Sequence, residues 1–247
     1  MIRESMRSIR WARTEVAVAT ATTTVQMVVG STVFKKAVMA ITGGMMLGWL
    51  TIHMLGNLQV FLGPEVINEY GEFLQNAEFI WPARLIMLVA ILAHIWSAVA
   101  LIQLSRAARP TGYQHARKNQ FTTMAAKSMR WGGLVILLFL LFHLADLTFG
   151  VPGAAVASFD RGDVYSNLTA SLARPPVGIL YIVANLALAM HLYHGVWSMI
   201  HTLGVTNATV QSWRRPLATV FAVLIAGGNI TIALACLTGV VHTIAGH

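Results

Sequence analysis

The chain has 247 residues, 56% of them hydrophobic and only 11% charged, with a mean hydropathy of +0.66; a soluble domain carries about 25% charged residues, so a soluble fold is excluded at the outset. Its one cysteine, Cys236, rules out an intrachain disulfide and any iron–sulfur cluster held by this chain's cysteines alone. The formal net charge of +8 does not point to nucleic acid, because the basic residues lie beside apolar runs rather than on a soluble face.

Residues 1–33 open with Arg3, Arg7, Arg10 and Arg13, followed by a mildly apolar run from Val16 to Val29 that threonines and Gln26 interrupt. Lys35 and Lys36 follow it, so the segment reads as a cytoplasmic tail or a surface helix packing on a partner, not as a signal peptide. Uncharged stretches then cover 37–64, 85–105, 131–145, 175–213 and 216–247. A helix needs about 20 apolar residues to cross the hydrocarbon core. The pattern therefore predicts five spans, at 34–62, 82–105, 130–150, 176–204 and 216–244, the third completed only by carrying Asp146 to the membrane boundary. The expected fold is an all-α integral membrane protein whose five transmembrane helices form one bundle over 34–247. Residues 64–81, with Asn68, Tyr70, Phe73, Leu74 and Trp81 among glutamates, predict an interfacial helix.

Orientation follows from lysine and arginine. Lys35, Lys36 and the four arginines of the tail, then Arg106, Arg109, Arg117, Lys118, Lys127 and Arg130, then Arg214 and Arg215, all fall on one side. The other side has only Arg84, Arg161 and Arg174 and collects Glu65, Glu69, Glu72, Glu78, Asp146, Asp160 and Asp163. The amino terminus is thus expected in the cytoplasm and the carboxyl terminus outside.

Nine histidines occur, and His53, His94, His143 and His191 fall within spans one, two, three and four, one on each. An ionisable group at membrane depth needs a partner and tends to mark function. With a rise of about 1.5 Å per residue, His53 and His143 both lie roughly 10–14 Å inside the outer face, and His94 and His191 roughly 16–20 Å inside the inner face. Two tiers of facing histidines suit two bis-histidine haems b stacked across the membrane, since closing both axial positions favours electron transfer over oxygen chemistry. Gly43, Gly44, Gly48, Gly56 and Gly195 are candidates to open gaps for a macrocycle, or else to pack helices closely. His194, three residues after His191 on the same face, is the rival fourth-span ligand; His201 is expected at the inner interface, and His115, His242 and His247 in solvated positions.

These residues resemble the diheme cytochrome b558 family, the membrane anchors of succinate dehydrogenase and fumarate reductase. The resemblance runs from about Phe34 to Gly239 and rests on His53 followed by Leu55-Gly56-Asn57-Leu58, on Asn68-x-Tyr70 with Phe73-Leu74, on His94, on Phe142-His143-Leu144, and on His191-Leu-Tyr-His-Gly195-Val-Trp197 ending in Leu203-Gly204, in that order. It implies His94 and His191 as ligands of a proximal haem and His53 and His143 of a distal haem. It implies a flavoprotein and an iron–sulfur subunit docked on the cytoplasmic face of a bacterial inner membrane, passing electrons from succinate through both haems to a quinone, in this family menaquinone. The reverse direction, fumarate reduction, uses the same anchor. One departure concerns a fumarate reductase branch that places a proton-carrying glutamate two residues before the fourth-span ligand; here that position is Ala189.

Asp146, one turn beyond His143, is a candidate to exchange protons with quinone or to orient that histidine, against a plainer reading as a carboxylate at the headgroup boundary. Glu65, Glu69 and Glu72 invite the same proton-handling reading. Two other classes fit less of the pattern: a transporter relaying protons through membrane histidines, and the haem b anchor of a different respiratory dehydrogenase.

Overall fold

A computed structural model describes residues 29–108, 124–205 and 207–242, and all their regular structure is helical. Helix α1 covers Thr32–Asn57 and continues as a 3-10 turn over Leu58–Leu62; α2 covers Pro64–Leu74, α3 Ala77–Ala107, α4 Met124–Leu147, α5 Val164–Ala173, α6 Pro175–Thr202 and α7 Ala208–Leu237. Five of these, α1, α3, α4, α6 and α7, are long and apolar enough to cross a membrane, which makes the chain a multi-pass membrane protein. Their outward faces are apolar: Ile52, Leu88, Leu92, Leu138 and Val223 are all more than half exposed, as side chains are where lipid rather than water covers them. The tail reading for 1–33 falls mostly on residues outside those described, as do His115 and His247.

Helix starts carry their own caps. Ser31 accepts from Phe34 N–H at 3.1 Å, Asn76 from Glu78 N–H at 3.0 Å and Asn207 from Val210 N–H at 2.8 Å, each satisfying a donor that a first turn leaves free. α6 instead opens on Pro175-Pro176, whose missing N–H groups cost nothing at that position. Two helices begin earlier than the expected spans: Pro82 and Pro216 lie inside α3 and α7, which begin at Ala77 and Ala208 after the caps Asn76 and Asn207. The third span ends at Leu147 rather than near Gly150, and the fifth at Leu237 rather than 244.

The expected interfacial helix over 64–81 is also shorter: it ends at Leu74, and Trp81 belongs to α3. Gly63, with φ of 107°, makes the turn into it. α5, not foreseen, packs beside α2, α6 and α7 to cap one end of the bundle. Asn68 ties the cap together, donating to Asp163 Oδ1 at 3.1 Å and accepting from Tyr165 N–H at 2.9 Å. Tyr165 in turn donates to the His242 carbonyl at 3.2 Å, which ties the turn after α7 to the cap. The largest buried cluster lies here, around Ile67, Leu168, Leu172, Tyr181, Ile232 and Cys236.

The spans pack as neighbours in a definite order. α6 contacts α7, α4 and α1; α1 contacts α3, α6 and α7. Direct packing is slight or absent, among the described residues, between α1 and α4, between α3 and α6, and between α3 and α4. In the four-helix set α3–α1–α6–α4, α1 faces α4 and α3 faces α6 across the diagonals.

Candidate functional site

The four span histidines lie on those diagonals. His53 of α1 faces His143 of α4 with ring centroids 5.8 Å apart and planes at 88°; His94 of α3 faces His191 of α6 at 6.4 Å and 59°. Each pair thus bridges two helices that otherwise hardly touch. His143 is four residues from the end of α4 and His53 nine from the end of the 3-10 turn, both toward the cap. His94 and His191 sit 13 and 11 residues from the opposite ends of α3 and α6, several turns deeper.

Ring nitrogens are assigned by what they meet. The Tyr181 hydroxyl has one proton and donates it to Asp146 Oδ2 at 3.1 Å, so its contact with His143 Nδ1 at 3.2 Å has the imidazole as donor and leaves Nε2 with the lone pair. The same argument holds for His94: Thr42 donates to the Val38 carbonyl at 2.7 Å and accepts from His94 Nδ1 at 3.2 Å. His53 Nε2 lies 3.3 Å from the Asn57 side-chain nitrogen, a contact that ligation through Nε2 would replace. His191 Nδ1 is enclosed and, among the described residues, has no hydrogen-bond partner. His194 does not enter either pair; its ring stands edge-on to Trp197 at 5.2 Å, and its Nδ1 is likewise unpartnered.

Asp146, one residue from the end of α4, is enclosed by protein. It is 1% exposed, with Oδ1 2.9 Å from Arg174 Nη2 and Oδ2 receiving the hydroxyls of Ser171 at 2.5 Å and Tyr181 at 3.1 Å. Arg174 also donates to Ser171 Oγ at 2.8 Å. Glu65, Glu69 and Glu72 are exposed on α2, and none is brought to either histidine pair. Arg174, Ser171 and Tyr181 were missed by sequence reasoning. The available signal was charge: Asp146 is the only acid in its apolar run and Arg174 stands alone before Pro175 on the same side.

The glycines divide. A Cβ on Gly43 of α1 would lie 3.4 Å from His94 Cε1, and one on Gly133 of α4 would lie 4.0 Å from His191 Cε1, so glycine keeps the margins of the deeper pair clear. Gly48 and Gly195 face open space. Gly56 and Gly44 do not form gaps, because Tyr70 covers the first and Met199 Sδ lies over the second.

A large flat macrocycle holding its own metal fits this donor set. Imidazole nitrogens sit about 2 Å from a first-row metal, so two rings ligating one iron from opposite sides have centroids roughly 6 Å apart once ring radii are added. The two observed separations, 5.8 and 6.4 Å, match that span. A bare ion is less suited: among the described residues no three His, Cys, Asp or Glu side chains gather to hold one. No family model matches the chain, and no curated protein and no solved structure matches it.

Proposed function

We propose that the chain is the cytochrome b anchor of a succinate:quinone oxidoreductase, with His53 and His143 as axial ligands of one haem b and His94 and His191 of the other. One observation carries the haem assignment: two histidine pairs at bis-axial spacing bridge helices that pack poorly against each other. When bound, six-coordinate haem iron supplies one-electron transfer without an open site for oxygen. The chain's own part is to hold four imidazoles at two depths and to keep water from them, since His143 and His191 lie among the apolar residues of α4 and α6.

The assignment to succinate rests on the ordered motifs around these histidines. Among the motif residues, Tyr70 fills the space over Gly56 and Asn68 joins α2 to α5. On this reading the cap faces outward, the opposite end with Arg214 and Arg215 faces the cytoplasm and receives an iron–sulfur and a flavoprotein subunit, and electrons leave to menaquinone or another quinone. The membrane is the bacterial inner membrane.

A reduced-minus-oxidised visible spectrum of the purified protein tests the reading, with two haems per chain and both partner subunits in the preparation expected. A colourless protein removes the haem assignment and favours a proton-relaying transporter. Haem without the two partner subunits moves the anchor to another dehydrogenase.

A further inference from the structure

We propose that Tyr181 is a positioning residue for His143, fixing that ligand's tautomer and raising its electron density through a carboxylate the ligand never touches. The inference rests on the haem reading above and deepens it.

The chain of contacts is continuous and enclosed. His143 Nδ1 donates to the Tyr181 hydroxyl at 3.2 Å, and that hydroxyl donates to Asp146 Oδ2 at 3.1 Å. Ser171 and Arg174 hold the carboxylate by two further hydrogen bonds, which keeps Asp146 turned toward them. The tyrosine ring is held as firmly as its oxygen: Phe139 stands T-shaped to it at 4.9 Å and Phe142 at 6.4 Å. A direct carboxylate on a metal-bound histidine orients the ring and makes it a stronger donor. Here Tyr181 spans the gap, because Asp146 lies three residues on from His143 in the same helix and its oxygens are turned to Arg174 and Ser171.

The other tier lacks this arrangement. His94 Nδ1 meets the neutral hydroxyl of Thr42, which is itself spent on a backbone carbonyl, and His191 Nδ1 has no hydrogen-bond partner among the described residues. A hydrogen bond backed by a carboxylate enriches the imidazole and favours the oxidised iron, so its loss should raise one midpoint potential only.

The experiment is redox titration and low-temperature EPR of the whole complex carrying Tyr181→Phe, beside the unaltered complex and Thr42→Val. Phenylalanine keeps the ring packing and deletes the relay. Two haems should stay bound, with the midpoint potential of the haem on His53 and His143 shifted upward and its EPR signal altered. The other haem should be unmoved, whereas Thr42→Val should move that one instead. Two coloured haems with potentials and EPR unchanged in Tyr181→Phe overturn the proposal and leave the haem reading standing; an unaltered protein without haem overturns both.

Should Tyr181→Phe fail to accumulate, Asp146→Asn carries the test, because the isosteric amide keeps the shape and removes the charge. The same upward shift is expected and no shift refutes it. If neither accumulates, pulsed EPR of the unaltered protein before and after exchange into D2O reads the ligand Nδ1 protons. A strongly hydrogen-bonded proton on the haem that His53→Ala abolishes supports the relay, and a weakly bonded one sinks it.

Discussion

Asp146 and Arg174 stand 2.9 Å apart, and the two ends of that ion pair lie in different media: the carboxylate is wholly enclosed, whereas the arginine side chain is 32% exposed. Their removal should therefore be unequal. Arg174→Met leaves a buried charge with only two hydroxyls, a situation that costs about 3–5 kcal/mol when a fully buried partner is lost and about 2 kcal/mol after allowing for the water that already reaches Arg174. Asp146→Asn leaves a cation able to turn outward and should cost less. Thermal or denaturant unfolding in detergent, following α5 release, ranks the two, and an equal or reversed order would show that the pair is not what holds Asp146.

Single histidine replacements should separate the tiers. His53→Ala or His143→Ala opens one axial position and should lose one haem, while His94 and His191, on two other helices and several turns deeper, retain the second. His194→Ala should keep both, because that ring stands edge-on to Trp197 and is in neither facing pair. Haem content and difference spectra decide this. Two haems per chain in His53→Ala, or one in His194→Ala, would mean that the ligands are paired differently.

Gly178 and Gly227 give opposite expectations for the same substitution. Alanine for glycine within a helix ordinarily gains about 1 kcal/mol, and at Gly227, with nothing within 4 Å of the new carbon, that gain should appear. At Gly178 the new carbon would lie 2.6 Å from the Leu172 carbonyl oxygen and 2.7 Å from Leu237 Cγ. Overpacking of that kind costs about 1–3 kcal/mol, so Gly178→Ala should loosen the joint between α5, α6 and α7. Melting temperatures of the two variants moving in opposite directions is the expected result.

The cap should weaken in acid. Burial by itself would raise the Asp163 carboxyl, but the hydrogen bonds from Ser166 and Asn68 outweigh it and hold the group below its ordinary value of 3.8. A depressed carboxyl contributes stability that is fully present above its unfolded value and is lost as pH falls through the lower folded one. Protection of the α5 amides, taken relative to intrinsic exchange at each pH, should therefore be higher at about pH 5 than at about pH 2.5, and Asp163→Asn should flatten the difference. Protection that is the same at both pH values in the unaltered protein would contradict this.

Much of the architecture was legible because lipid imposes a coarse rule: runs without charge must cross, and five did so. Histidine depth also carried information, since a helix converts residue number into height, and the structure brings together His53 with His143 and His94 with His191 as the heights required. The starts of the second and fifth spans fell at 82 and 216 because charge marked them, whereas the helices run on through Arg84 and Arg214-Arg215 to begin after the caps Asn76 and Asn207. α5 escaped because ten residues with polar Ser166, Asn167 and Thr169 resemble a loop until Asp163 is seen to cap them. Tyr181 was invisible for a different reason: one tyrosine in an apolar helix has no pattern, and only the positions of His143 and Asp146 on another helix give its hydroxyl a meaning.

The lopsided placement of the core sets where this bundle is stiff. Around the cap, buried side chains from α2, α5, α6 and α7 interlock, whereas among the described residues α3 packs chiefly on α1. A helix with one main neighbour has the least to hold it in place, so α3 has the widest freedom to splay. Anything that clasps α3, a bound group or a docked subunit, acts where restraint is least and quiets the structure at small cost in contact area.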